Sequence, residues 1–252
     1  MDTNSLLIRN PQSAIGNSSV AISVVLPTYD EALNIGPLIA RFRQALAEMR
    51  DASGNPPSYE IIVVDAGSQD DTCARAGEAG ATRVFVQKGR GYGMALKEGF
   101  AEARGRYVVT MDADLSHDPA LLPAMWARTA DADVVIASRY VRGGSSEWPA
   151  FRRMLSVILN RIYTLVLWLP IRDVSSGYRL YDRRVLDKIE ITCRNFDVVE
   201  EILVRAWREG ARVAEVPMHY QRRAHGVSHA RLLPFAVSYA KTLVKMFFLR
   251  YL

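Results

Sequence analysis

Only two cysteines, Cys73 and Cys193, occur among the 252 residues, far apart and outside any metal-ligand spacing. They supply neither a disulfide framework nor a zinc site and read as two reduced thiols in a cytosolic protein. No run of about 20 apolar residues occurs, the length a bilayer-spanning helix requires, so the chain is expected to touch a membrane at most. Residues 1–20 lack the charged-then-apolar order of a secretory signal; they read as a polar lead-in and place the protein inside the cell. No Gly-x-Gly-x-x-Gly follows the first strand-like run and no Gly-x-x-x-x-Gly-Lys-Ser/Thr occurs anywhere, which removes the main support for dinucleotide and P-loop sites. Charge of one sign is not concentrated either: 32 Lys and Arg against 27 Asp and Glu leave a formal net charge of +5. That excess leans towards anionic partners such as nucleotides or phospholipid surfaces without selecting one. The basic residues are dispersed and form no recognised module, so nucleic acid is not an expected partner.

What is present is a chain with 49% hydrophobic and 23% charged residues, long enough for a full core. Residues 20–137 alternate short β-branched runs ("AISVVL", "YEIIVVD", "TRVFVQ", "RYVVTMD", "ADVVIAS") with helical patterns. Strands apolar on both faces and separated by helices predict an α/β fold: a doubly wound, mostly parallel sheet covered by helices. Asp71 or Thr72 is expected to cap the second helix, and Asp118 followed by Pro119 to start the fourth. In such sheets ligands bind beyond the carboxyl ends of the strands. Residues 27–31, 65–71, 112–119 and 138–144 are therefore expected along one edge. "GRGYG" at 89–93 follows the third strand and reads as a turn or as a phosphate contact.

Within "MDADLSHDP" (111–119), Asp112 and Asp114 stand one residue apart at the end of an apolar strand with no Lys or Arg beside them. Two such carboxylates repel unless protonated, separated or bridged by a cation. Mg²⁺ or Mn²⁺ would take one or two of these oxygens and complete its shell with water and a diphosphate. The bland alternative is that Asp114 and Asp118 serve only as loop and cap residues.

Seven motifs occur in order: "LPTYDEALNI", "IIVVDAGSQDDT", "GRGYGMALKEGF", "MDADLSHDP", "ASRYVRGG", "DVSSGYRLYDRRVL" and "EVPMHYQRRAHGVSH". Together they span residues 21–230, and in order and spacing the chain resembles the inverting family 2 glycosyltransferases, in particular the polyprenyl-phosphate (dolichol-phosphate) mannose synthase branch. The resemblance implies a GT-A fold with a nucleotide-sugar half (21–137), an acceptor half (138–230) and a C-terminal amphipathic helix (231–252). It also implies that Pro27, Tyr29, Glu31, Asp65, Asp112, Ala113 and Asp114 line the nucleotide-sugar site. Asp114, aided by Ser116, would hold Mg²⁺ or Mn²⁺, which would stabilise the departing diphosphate. Two departures stand out. Relatives usually carry Asp-Asp-Gly-Ser where this chain has Asp65-Ala66-Gly67-Ser68, and Ser-Lys where it has Ser228-His229.

Arginines follow the nucleotide half: Arg139, Arg142, Arg152, Arg153, Arg179, Arg222 and Arg223. The guanidinium fork suits phosphate oxygens, so these are either a second anion site or surface charge. By resemblance Arg139, Arg152, Ser156 and Arg223 would grip a lipid phosphate, and Asp112, Asp114, Arg139 and Arg223 would form the catalytic set. A phosphate acceptor needs no general base, whereas a hydroxyl acceptor would need one, for which Asp197, Glu200 and Glu201 are candidates. The other reading, and the favoured one, is that Glu200 or Glu201 organises arginines.

Two helical patterns bear on membranes. In residues 154–169 the polar Ser156, Asn160 and Thr164 recur every four positions and leave a wide apolar arc of Leu155, Ile158, Leu159, Ile162, Leu165 and Trp168. In residues 234–252, Ser238, Lys241, Thr242 and Lys245 form a stripe beside Phe235, Leu243, Phe247 and Phe248. Such arcs face either a core or a bilayer interface. The combined expectation is a hexosyltransferase that moves mannose from GDP-mannose to a polyprenyl phosphate, peripheral on the cytoplasmic face of a membrane. The rivals are a relative that glycosylates a hydroxyl and a non-catalytic nucleotide-binding or membrane-docking protein.

Overall fold

The computed structural model describes residues 20–51, 53–225 and 240–251, and residues 8–9 and 232–239 by their backbone alone. Most of the polar lead-in, and Ser228 and His229, lie outside them, as do the side chains of Phe235 and Ser238. The strands are β1 (Ile8–Arg9), β2 (Ile22–Thr28), β3 (Tyr59–Asp65), β4 (Arg83–Val86), β5 (Tyr107–Thr110), β6 (Val134–Ser138), β7 (Ser145–Ser146), β8 (Arg179–Asp182), β9 (Val213–Pro217) and β10 (His219–Tyr220). The helices are α1 (Ile35–Glu48), α2 (Thr72–Glu78), α3 (Tyr92–Glu102), α4 (Leu122–Ala127), α5 (Ala150–Val166), α6 (Arg183–Leu186), α7 (Val198–Arg208) and α8 (Leu232–Tyr251).

Among the described residues the strands build one eight-stranded sheet, ordered β1-β4-β3-β2-β5-β8-β6-β9, with β7 and β10 paired apart from it. Each central strand feeds two cores. Val24 and Leu26 of β2 pack with Leu38, Phe42 and Leu46 of α1, while Val25 packs on the opposite face with Leu96 of α3 and Ile202 of α7. Period-two alternation with both faces apolar is what a sheet covered on both sides requires.

Two details differ from the sequence reading. Strand β8 runs antiparallel between β5 and β6. Short and charged at both ends, "RLYD" carries no strand signal of its own. The acid that closes the start of α2 is Asp70, which accepts from Thr72 N at 3.0 Å; Asp71 makes no side-chain cap. Asp118 does cap its turn, accepting from Ala120 N at 3.0 Å, and Pro119 opens a 3₁₀ turn that leads into α4. In "GRGYG", the glycines serve close packing. A Cβ on Gly91 would fall 2.3 Å from Arg194 O, and one on Gly93 would fall 2.5 Å from Cys193 O.

The topology gathers the motifs. β2, β3, β5 and β6 end on the same edge, β9 is parallel to β6, and the antiparallel β8 begins there. Residues 27–31, 65–71, 112–119 and 138–144 are thus joined by 173–178 and 218–225. One buried pair fastens residues 138–144 to 173–178 at this edge. Arg139 Nε and Nη2 donate to the two oxygens of Asp173 at 2.8 and 2.6 Å, and Arg139 N donates to Asp173 Oδ2 at 3.0 Å. Burial alone would raise the Asp173 carboxyl, but the Arg139 charge and hydrogen bonds override it and hold it below its ordinary 3.8.

A carboxyl depressed in the folded state stabilises above its unfolded pKa, and that contribution is lost as pH falls through the folded value. Asp173→Asn should therefore lose about 3–5 kcal/mol at pH 7. The deficit against the parent should shrink as pH drops below the ordinary 3.8, which urea midpoints compared across that range will report.

Candidate active site

After Thr110 ends β5, Met111 and Ala113 turn into the core, so the alternation leaves Asp112 and Asp114 on the ligand side. Leu115 takes a φ of 60°, a backbone state that side chains tolerate poorly, and it turns the loop sharply enough for Ser116 to fold back. Asp114 Oδ1 accepts from Ser116 N at 3.0 Å and from Ser116 Oγ at 2.5 Å. Its Oδ2 accepts from Arg223 Nε at 3.2 Å, and Arg223 Nη1 also reaches Glu31 Oε1 at 3.5 Å. Glu31 is held in turn by Asn34 Nδ2 at 2.5 Å. The segment that carries Arg223 is tied down by Gln221 N donating to Ser116 O at 2.9 Å and Ala224 N to Asp114 O at 3.3 Å.

Asp112, Asp114 and Glu31 form an acidic cluster with one partly exposed guanidinium between two of them. Burial raises the Asp112 carboxyl above its ordinary value and the Asp114 charge adds to it, against the opposing pull of His117, Tyr92 and Arg223. Burial likewise raises Glu31, with Asp114 and Asp112 adding, against Asn34 and Arg223. Among the described residues no three His, Cys, Asp or Glu side chains gather as a metal site. The candidate ligands Asp114 and Ser116 offer carboxylate and hydroxyl oxygens, with His117 Nδ1 3.2 Å from Ser116 Oγ. A partial, all-oxygen set under mutual repulsion fits Mg²⁺ or Mn²⁺, which keep water and substrate phosphate in their shell.

Pro27, Tyr29, Glu31 and Asp65 lie along the same edge. Pro27 sits past the last β2–β5 partner pair, Val25 and Thr110, where its missing N–H takes nothing from that ladder. Tyr29 is exposed, whereas Asp65 is buried. Asp65 accepts from Gly67 N at 2.9 Å, Ser68 N at 2.7 Å, Ser68 Oγ at 2.5 Å and Thr28 Oγ1 at 3.0 Å. Its carboxylate is committed to shaping the turn. Ala66 is exposed, with its N–H bonded to Thr28 O at 2.8 Å.

On the acceptor side the arginines separate into three kinds. Arg139 is buried, with two of its three nitrogens on Asp173 and Ser175. Arg179 is wholly buried and donates to the carbonyls of Ser176, Val199 and Val174 at 2.8, 2.6 and 2.5 Å. It belongs to the core. Arg152 is exposed and lies over the Trp148 ring at 4.5 Å, and Arg142, Arg153 and Arg222 are exposed as well. Ser156 accepts from Tyr140 Oη at 2.7 Å. Arg139 also lies over Trp148 and Tyr220 at 4.9 and 5.7 Å, with His117 set edge-on to Tyr220 at 5.1 Å. Arg139, Arg152 and Ser156 are thus gathered along one aromatic wall, whereas Arg223 is engaged with Asp114 and Glu31.

Glu201 is fully buried. It accepts from Thr192 N at 2.9 Å, Cys193 N at 2.7 Å and Arg205 Nε at 3.0 Å, and also from Thr192 Oγ1. Although burial would raise it, these bonds hold its carboxyl below the ordinary value. That is the arginine-organising arrangement, with no proton-accepting oxygen left free. Sequence reasoning missed Tyr92, His117, Trp148, Asp173 and Tyr220. Asp173 opens the "DVSSGY" motif and His117 lies inside "MDADLSHDP", so motif membership marked both. Tyr92 and Tyr220 likewise lie inside "GRGYGMALKEGF" and "EVPMHYQRRAHGVSH", and only Trp148 falls outside the seven motifs.

The sequence model of Glycosyl transferase family 2 matches residues 23–190. The chain is 34% identical over 216 residues to dolichol-phosphate mannosyltransferase of Pyrococcus furiosus, a match covering 82% of this chain and 58% of that protein. It therefore spans somewhat under two thirds of that relative's length. It is 37% identical over 219 residues to polyprenol monophosphomannose synthase of Mycolicibacterium smegmatis, covering 81% of this chain and 79% of that one. Glucosyl-3-phosphoglycerate synthase from Mycobacterium tuberculosis, solved with Mn²⁺, UDP-glucose and phosphoglyceric acid, shares the fold. Its TM-score is 0.69 at 21% identity, over 91% of this chain and 79% of that chain. The expected GT-A architecture is the one observed. With motifs, sheet order and acidic edge in agreement, the chain belongs to glycosyl transferase family 2.

Proposed function

We propose that the chain transfers a hexose, with inversion, from a nucleoside diphosphate sugar to a polyprenyl phosphate at a membrane surface, and that the donor is GDP-mannose. One observation carries the reading: Arg223 bridges Asp114 and Glu31 of the acidic cluster, and its segment also supplies Tyr220, which with Trp148 forms the wall that holds Arg139. Two anion sites share one edge. The names of the two curated relatives support a polyprenyl phosphate as the second anion and mannose as the sugar.

In this scheme Asp112 faces the nucleotide sugar, and Asp114 with Ser116 holds the divalent cation, which when bound neutralises charge on the departing diphosphate. Tyr29 and Pro27 border the nucleotide, and Asp65 holds the turn beneath it. Arg223 and Arg152 hold the acceptor phosphate, Ser156 adds a hydroxyl, and Arg139 builds the wall behind them. The acceptor oxygen is already ionised near neutral pH, so no general base is required. The commitment of Glu201 to backbone donors agrees with that. We assign the catalytic domain to residues 21–230 and treat 231–252 as an appendage whose helix α8 packs on it through Met246.

Membrane contact rests on α5. Its polar Asn160 and Thr164 are buried, while Phe151 and Leu165 are each 70% exposed and Ile158 and Ile162 are also open. The helix is inside out. At its end Trp168 is 79% exposed and holds a φ of 50°. A bulky residue in that region is strained and gains nothing from the fold in return, whereas indole rings favour bilayer interfaces. On α8, Phe247, Phe248 and Tyr251 are exposed, and the Tyr251 hydroxyl donates to Val166 O at 3.1 Å, which joins the two helices. Among the described residues no helix is long and apolar enough to cross a membrane. The arrangement supports peripheral contact with a membrane surface, which this reading places on the cytoplasmic face.

Asp114→Ala should reduce transfer of radiolabelled mannose from GDP-mannose to polyprenyl phosphate by about 10²–10³-fold or more. Calorimetry should show Mn²⁺ no longer enhancing GDP binding to that variant. Arg152→Ala should raise KM for the polyprenyl phosphate about tenfold with kcat little changed, as expected for loss of one charge-assisted contact. Glu200→Gln and Glu201→Gln, assayed per folded molecule, should keep their turnover; a collapse of several orders of magnitude in either would assign a hydroxyl acceptor and its base. Trp168→Gly should leave the unfolding midpoint unchanged or raise it by relief of backbone strain, while co-sedimentation with anionic vesicles falls.

A further inference from the structure

Asp112 is gripped from sides that the transfer scheme leaves unused. Tyr92, the first residue of α3, donates its phenol to Asp112 Oδ1 at 2.9 Å. Gly177, in the turn before β8, lies against both groups: a Cβ there would fall 3.2 Å from Tyr92 Oη and 3.3 Å from Asp112 Oδ1. Gly177 is itself fixed, since its carbonyl accepts from Thr110 Oγ1 at 2.9 Å. Phe196 closes the other face of Tyr92, with ring centroids 4.7 Å apart and planes at 22°. Phe196 is 64% exposed, yet its segment is anchored, because Gly93 N donates to Arg194 O at 2.8 Å and neither Gly91 nor Gly93 has room for a side chain against that backbone.

Three segments distant in sequence therefore gather about one carboxylate, Tyr92 and Gly177 directly and Phe196 through the Tyr92 ring. A general need for folding does not explain them, because Asp112 borders the ligand edge and Phe196 leaves most of its surface in solvent. They answer the requirement of a carboxylate that must present one oxygen in a fixed direction. Aspartate keeps two soft side-chain torsions, and burial beside Asp114 gives Asp112 reason to swing away. A phenol aimed at one oxygen removes that freedom.

We propose that Tyr92 is a positioning residue of the transfer reaction: its hydroxyl sets the orientation of Asp112, and Phe196 is the cover that keeps the Tyr92 ring in register. The inference rests on the transferase reading above. Fixed orientation at the reacting edge is realised mainly in the transition state, so its loss falls on kcat more than on donor affinity.

The test uses the full chain, with labelled sugar nucleotide, Mn²⁺ and polyprenyl phosphate on parent, Tyr92→Phe, Phe196→Ala, Phe196→Tyr and the Tyr92→Phe/Phe196→Ala double variant. Tyr92→Phe keeps the stack and removes only the hydroxyl. Its kcat should fall about tenfold while the donor KM and the calorimetric affinity for nucleotide with Mn²⁺ stay within about twofold and the urea midpoint holds. Phe196→Ala should lower kcat in the same manner, Phe196→Tyr should restore it, and the double variant should be no worse than Tyr92→Phe, because both changes act through one phenol. A Tyr92→Phe kcat within twofold of the parent, a loss confined to KM or to the urea midpoint, or a double variant equal to the product of the singles would overturn the proposal. Should Tyr92→Phe fail to fold, the exposed Phe196 pair decides: no kcat loss in Phe196→Ala, or no rescue by Phe196→Tyr, rejects it. If the parent itself transfers no sugar from any nucleotide donor, the transferase reading fails first and takes this inference with it.

Discussion

A guanidinium and a carboxylate both removed from water are tolerated only when each end of the fork meets its match, and Arg139 with Asp173 meets that condition on two nitrogens and two oxygens. The position of the pair matters more than its strength. Arg139 leaves the carboxyl end of β6, while Asp173 belongs to the segment that turns back into the antiparallel strand β8. Their union brings residues 173–178 to the edge that the parallel strands have already defined. From there Gly177 reaches Asp112, Ser175 meets Arg139, and the aromatic wall of Trp148 and Tyr220 gains a charged centre. That clasp adds a buried tie to the ladders that β8 already makes with β5 and β6, and so fixes where residues 173–178 sit against the edge.

The acidic edge works on the opposite principle. Asp112, Asp114 and Glu31 are crowded without enough positive charge to balance them, and the carboxyls of Asp112 and Glu31 are raised by burial and by their neighbours. Arg223 moderates the repulsion from a partly exposed position and from a segment pinned to the same loop. A folded protein that keeps such a cluster concentrates electrostatic free energy at a ligand edge. A dication and a diphosphate are the chemistry that relieves it.

Much of this was legible in the sequence because it rests on periodicity and on local turn chemistry. The alternation of β-branched runs with helices gave the doubly wound sheet, and the strand-end rule placed four loops on one edge. The acid pair stood out because two carboxylates in three residues are physically awkward. What stayed hidden depends on pairing across the chain. Strand β8 was invisible because its four residues make sense only between two partners. Arg139 read as an open fork because nothing local to "SRYVRGG" announces Asp173, 34 residues on. Arg179 read as part of an anion site or as surface charge, and only tertiary structure reveals three carbonyls waiting for it. The stripe of Ser156, Asn160 and Thr164 was seen correctly, but a helical period cannot say which face points inward.

That inward turn of the polar stripe constrains handling as well as biology. With Asn160 bonded to Val174 N and to Ser175 and with Thr164 buried, α5 cannot roll over to hide Phe151, Leu165 and Trp168 without breaking its ties to the acceptor side. In lipid-free buffer the same face remains a wide apolar patch that seeks any available cover, including another molecule of the chain. Self-association in buffer and the proposed avidity for lipid thus draw on one surface, and a mild detergent that satisfies it should keep the chain monodisperse without touching the acidic edge.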